Sequence, residues 1–372
     1  GRRSRDEVRS LRELRNLEAT TGIPVDIARY GRHGLVPQDV LFSGTVEDAV
    51  WSLYKRFRGN IPASEMKKLY KEVTGGRGTR RHSYRDLADI RKDLVSSVKM
   101  GIDRFWYERF GREVPLLVGS ANMNEFSKVF GITSAQTSPE VNFKDTLRTM
   151  IIARKIDPVK EASKFIGELH KFGVAKGKRD RMESIQKVYE TGVFHPQYGQ
   201  KTATYGLEIL EAANNSFSPW TVIDRHMLAI LGFDGGKMQK GETIEEFTER
   251  TGLKKEQPSF TEREYRIMQS LISLLATENY TINGEPFNFS FPRQVQAALW
   301  GFQKYKKGSP NEGTWDSSVQ HAKEEITELN ELIKEGLFTK DKPLTGSNFI
   351  SSPLYTSSLA KDTFSTDQQD SM

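Results

Sequence analysis

The apolar residues of this chain recur at helical spacing almost throughout, and that periodicity restricts the possible fold more than any other feature. Across residues 84–110, Leu87, Ile90, Leu94, Val98, Ile102 and Trp106 fall on one face of a helix. Val8, Leu11, Leu14 and Leu17 do the same within residues 4–20, and Thr45 is placed to cap a helix bearing Val46, Ala49, Val50, Leu53, Tyr54 and Phe57. The same spacing predicts helices over 120–130, 142–156, 158–172, 180–191, 201–214, 224–231, 244–251, 261–277 and 317–335. Alternating patterns fit poorly, apart from a small hairpin within 280–291, where Asn283-Gly284 offers a type I′ turn. The expected fold class is therefore mostly α.

With 372 residues the chain exceeds the usual size of one domain. The expected division is a basic helical N-terminal region over 1–95, a helical core over 96–305, and a C-terminal helix and flexible tail over 306–372. The segment after Thr339 is rich in Ser, Thr, Asp, Gln and Pro, a composition that favours a mobile tail. The chain opens on Gly1 with no charged-then-apolar leader and no secretion signal. It is expected to be a processed product or an excised piece of something longer.

There is no cysteine, which excludes disulfides, thiolate zinc sites, cysteine nucleophiles and cysteine-ligated iron–sulfur clusters. No cofactor or metal is expected, and chemistry must use oxygen or nitrogen groups. No window approaches the roughly 18 apolar residues of a membrane span, so no membrane partner is expected. Lys plus Arg exceed Asp plus Glu by 55 to 49. Basic residues gather at Arg2, Arg3, Arg5 and Arg9, at Arg77, Arg80 and Arg81, and at Lys176, Lys178, Arg179 and Arg181. Such clusters suit phosphates, and equally suit a solvated face.

Three segments carry possible chemistry. The apolar run Trp220-Thr221-Val222-Ile223 delivers Asp224 to the start of a helix, where its simplest role is to cap that helix. Upstream, Gln197-Tyr198-Gly199-Gln200-Lys201-Thr202 opens another helix whose first amides suit a phosphate, with Lys201 as a mobile cation. Earlier still, Ser134-Ala135-Gln136-Thr137 lies between two helices, with Gln136 free to enter a groove. His226 beside Asp224 does not read as a dyad partner, because neighbours on a helix point about 100° apart. Trp300, beside Val295, Ala298 and Leu299, reads as a core residue.

In this order, Ser134-Ala135-Gln136-Thr137, Gly199-Gln200-Lys201-Thr202-Ala203 and Val222-Ile223-Asp224-Arg225-His226 resemble motifs of the helix-hairpin-helix DNA glycosylase superfamily, which includes the endonuclease III and adenine glycosylase branches. The resemblance spans roughly residues 120–235. The chain is also similar to a group of phage-encoded proteins with the same core, in which a Gln-Ala-x-x-Trp segment recurs, here Gln296-Ala297-Ala298-Leu299-Trp300. Where the family carries Pro-Gly-x-Gly, this chain reads Pro196-Gln197-Tyr198-Gly199, and residues 211–218 lengthen the interval between Lys201 and Asp224.

The resemblance implies a glycosylase-like helical core without an iron–sulfur cluster. It implies a DNA-binding, phage-type protein that cleaves or modifies at the N-glycosidic bond of a flipped nucleotide. Asp224 would be the catalytic carboxylate and Lys201 a Schiff-base nucleophile or a phosphate contact. Gln136, Gly199, Gln200, Thr202, Lys176, Lys178 and Arg179 would contact DNA. The alternative is a non-catalytic nucleic-acid-binding or virion-associated protein that keeps the fold, associated with a larger virion or polyprotein assembly. Either would work in the host cytoplasm or in a virion.

Overall fold

Why the long apolar stripe over 84–110 does not become one helix explains much of the architecture. After Lys99 the amide of Ile102 bonds the carbonyl of Ser97 and that of Gly101 bonds the carbonyl of Val98, a Schellman closure. Gly101 supplies the left-handed backbone this closure needs, with φ of 71°. The stripe is thereby cut into two helices, and these belong to different compact units of the chain.

The structure, a computed structural model, describes residues 45–73, 84–134, 137–192, 200–215, 221–232, 238, 241–251, 262–309 and 313–334. The helix expected over 4–20, the basic segment around Arg77, Arg80 and Arg81, and the tail after Thr339 lie outside the described residues, as do Gln136 and Gly199. In chain order the helices are α1 (Thr45–Arg56), α2 (Ala63–Val73), α3 (Leu87–Lys99), α4 (Trp106–Val118), α5 (Met123–Thr133), α6 (Pro139–Lys155), α7 (Ala162–Lys171) and α8 (Arg179–Thr191). They continue with α9 (Gln200–Ala213), α10 (Arg225–Ile230), α11 (Ile244–Thr251), α12 (Glu262–Ala276), α13 (Pro292–Lys306), α14 (Trp315–Glu325) and α15 (Leu329–Lys334). Strands β1 (Tyr280–Ile282) and β2 (Glu285–Phe287) pair antiparallel, with Tyr280 opposite Phe287. Asn283 and Gly284 both have positive φ, as the expected type I′ turn requires. The fold is mostly α, and among the described residues no helix is long and apolar enough to cross a membrane.

Two compact units result, each assembled from stretches far apart in sequence. The first unit draws its described residues from Trp106–Ser218 and Asn311–Met372. In it α5 is central, packed by α9, α6, α8 and α4, while α14 lies on α6. Phe126, Phe130, Phe110, Phe143 and Trp315 form a continuous aromatic core with ring centroids 5.0–6.3 Å apart. Gly111 lets α4 and α9 meet, because a Cβ there would lie 2.4 Å from the backbone of Ala212. Under this core Glu125 receives both guanidinium nitrogens of Arg154 at 3.1 Å and the Tyr189 hydroxyl at 2.5 Å, tying α5, α6 and α8 together. Burial raises the Glu125 carboxyl above its ordinary range, against the pull of Arg154 and Tyr189.

The second unit draws its described residues from Val36–Phe105 and Pro219–Pro310. Here α12 packs on α1, α2 and α13, and α13 packs on α3 and α10. Leu87, Ile90 and Leu94 of α3 and Met268, Leu271 and Leu275 of α12 share one buried cluster with Val295 and Leu299 of α13. Neither α2 nor α13 was expected as a helix. In α13 the cause is burial on several sides: Arg293, Gln294 and Gln296 are as buried as Val295 and Leu299, so no apolar stripe stands out. The helix expected over 317–335 is interrupted at Ile326, and that expected from 142 begins at Pro139, behind a Ser138 cap.

Candidate functional site

Asp224 owes its position to an extended segment that pairs with no strand among the described residues. Thr221, Val222 and Ile223 are buried, so their backbone polar groups must find partners inside the unit. Helix α12 supplies them: Gln269 Nε2 donates to the carbonyl of Thr221 at 2.9 Å, and the Ile223 amide donates to the Tyr265 hydroxyl at 2.9 Å. The segment ends at Asp224, whose backbone is still extended, and α10 begins at the next residue.

The Asp224 carboxylate is held at both oxygens. Oδ1 accepts from the amides of His226 at 2.8 Å and Met227 at 3.0 Å, the capping geometry expected from sequence. Oδ2 accepts from Trp300 Nε1 of α13 at 3.0 Å. Trp300 is half-buried and packs against the core, as its neighbours Val295, Ala298 and Leu299 had indicated, while its N–H is given to Asp224. His226 is buried, its ring edge-on to Trp300 at 6.0 Å, and its Nδ1 lies 3.3 Å from Lys307 Nζ. It makes no dyad with Asp224; what touches the carboxylate is the His226 amide.

Lys201 belongs to the first unit, in the first turn of α9. Its Nζ donates to the Ser134 carbonyl at 3.3 Å, so the cation sits at the C-terminal end of α5, where the helix carries partial negative charge. Two of the three sequence segments, the one at Ser134 and the one at Lys201, are therefore brought together. Thr202 is buried beside them, and Gln200 is the first residue of α9. Helices α8 and α9 flank residues 193–199, which lie outside the described residues, and both pack on α5.

Lys176, Lys178 and Arg179 are exposed on the turn leading into α8. This turn is left-handed over Ala175 (φ 52°), Lys176 (φ 58°) and Gly177 (φ 67°), and Asp145 Oδ2 holds it by accepting from the Ala175 amide at 3.0 Å. Arg179 pairs with Glu183 at 2.9 Å. A left-handed lysine carries backbone strain, so Lys176→Gly is expected to stabilise the chain by about 0.5–1 kcal/mol in urea unfolding. If Lys176 contacts DNA, the same variant loses affinity for a duplex while gaining stability, a combination that general loss of structure cannot produce.

One group had no signal in the sequence. Lys128 of α5 is fully buried and its Nζ donates to the carbonyl of Gly192, at the end of α8. Burial pushes its amine down from 10.5 to about 7. Between those values the unfolded chain binds a proton that the folded chain lacks, so this group makes stability rise with pH from about 7 upward. The rise is at most about 1.4 kcal/mol per pH unit. Urea midpoints measured from pH 6 to 9.5 are expected to show this increment in the parent and not in Lys128→Met. Parallel curves for the two proteins would show that the amine titrates normally.

Comparison of the chain with protein-family models, curated proteins and solved structures finds no match.

Proposed function

We propose that the chain is a phage-type DNA-binding protein resembling a DNA glycosylase, cleaving or modifying at the N-glycosidic bond of a flipped nucleotide. The observation that carries this reading is the state of Asp224. A carboxylate that only capped α10 would need one oxygen, yet here both are oriented on a residue that is only partly buried. A fixed anion at an accessible position suits a transition state that places positive charge on deoxyribose, because no reorganisation is needed as that charge develops. The resemblance of the segment order to that of the helix-hairpin-helix glycosylases supports the same reading. Lys201 and the basic turn at Lys176, Lys178 and Arg179 are assigned to the DNA backbone, with Lys201 the nucleophile if the enzyme also acts as a lyase.

A second reading draws support from Lys201. Its bond to the Ser134 carbonyl is what a structural cation at a helix end would make, and a non-catalytic nucleic-acid-binding or virion-associated protein would need nothing more of it. The readings separate in one experiment. The full chain is incubated with duplexes carrying uracil, hydroxymethyluracil, oxidised guanine or an abasic site, with Asp224→Asn and Lys201→Ala as controls. Base release that depends on Asp224 supports the enzyme, and borohydride trapping that depends on Lys201 establishes the lyase. Duplex binding without release or trapping on any substrate selects the binding protein.

A further inference from the structure

We infer that Trp300 is a positioning residue for the Asp224 carboxylate, fixing through its indole N–H the oxygen that would face the reacting sugar. The inference rests on the glycosylase-type reading and adds to it a residue outside the three motif segments. A carboxylate offers about four lone-pair directions. At Asp224 the two α10 amides occupy Oδ1 and the indole occupies one direction on Oδ2, so acceptor capacity remains on Oδ2. Without the indole, Oδ2 would be restrained only through the cap on its sister oxygen. With it, rotation of the carboxylate plane is stopped from both ends.

The indole is itself well fixed. Its ring packs against the buried cluster of the second unit, His226 meets it edge-on at 6.0 Å, and Lys304 Nζ lies 5.4 Å from the ring centre. Nε1–H is the only donor an indole has, and here it goes to a residue 76 positions away. A purely structural explanation exists: a half-buried indole needs an acceptor, and Asp224 provides one. The two accounts differ when the N–H is removed and the ring retained. In the structural account neither partner misses it. In the positioning account the carboxylate loses its orientation while the fold persists.

The test compares the full-length parent with Trp300→Phe, Trp300→β-(3-benzothienyl)alanine and Asp224→Asn. The benzothienyl residue keeps the bicyclic shape and replaces N–H with sulfur, so it serves if the smaller Phe perturbs folding. The probes are two duplexes, one with a neutral tetrahydrofuran abasic site and one with a pyrrolidine abasic analogue whose protonated ring nitrogen stands in for the sugar cation. The parent is expected to prefer the pyrrolidine duplex by about tenfold or more. Both Trp300 variants are expected to lose most of that preference while keeping their affinity for the tetrahydrofuran duplex and their melting temperature. On any duplex the parent cleaves, they should lower kcat by about 10- to 100-fold with KM little changed. Trp300 variants that keep the full pyrrolidine preference would overturn the positioning role and leave the glycosylase-type reading standing. A parent with no preference for the cationic duplex would overturn both.

Discussion

On the proposed glycosylase-type reading, replacing Asp224 with Asn is expected to slow base release by about 10²- to 10³-fold while the chain stays folded. Asn caps a helix about as well as Asp, so the amides of His226 and Met227 keep an acceptor. What changes is the second position of the side chain, where an amide NH₂ would now face the Trp300 N–H, donor against donor. That mismatch is expected to cost about 1–2 kcal/mol. Asp224→Ala removes the cap as well and should lose about 1 kcal/mol more. Rates of base release on the best substrate of the duplex survey, set beside urea midpoints of the same preparations, check both. An Asn variant within about threefold of the parent rate would remove Asp224 from the chemistry and leave it as the cap it also is.

Arg154→Ala is expected to give the largest loss of stability, about 3–5 kcal/mol, because it leaves the Glu125 carboxylate buried without its guanidinium. The Tyr189 hydroxyl alone does not neutralise a charge. Glu125 would take up a proton, and its carboxyl, already raised by burial, would rise further. The sign follows: a carboxyl whose folded value is raised contributes stability at low pH and loses it as pH climbs through that value. The deficit of Arg154→Ala should accordingly widen as pH rises past the parent's own raised Glu125 value, where only the variant still holds the proton. Adding Glu125→Gln should recover part of it and flatten the pH dependence. Urea unfolding between pH 4 and 8 measures this, and a deficit below about 1 kcal/mol at neutral pH would mean that Glu125 is already protonated in the folded parent.

How far the site was legible in the sequence differs between its parts. Asp224 as a helix cap follows from local rules, since an extended apolar run that stops at an Asp before Met227 and Leu228 leaves few alternatives. The bond from Trp300 does not, because its partner lies 76 residues away and the indole could as well have been core. The contact of Lys201 with Ser134 likewise depends on how α9 lies on α5. Lys128 left no trace at all: a lysine within a helix reads as a solvated face, and only packing shows that it is buried.

The sequence by itself determined that this chain is mostly helical, where most of its helices fall, and that the Asn283-Gly284 turn joins two short strands. Those outcomes rest on interactions between residues a few positions apart: apolar periodicity, caps and turn geometry. Only the tertiary structure decided that the stripe over 84–110 is cut at Gly101 and that each compact unit draws on separated stretches of chain. It alone brought Trp300 to Asp224 and Ser134 to Lys201. The reason is range. Backbone preference is set by neighbours in sequence, whereas the partner of a half-buried polar group is set by which helices share a core.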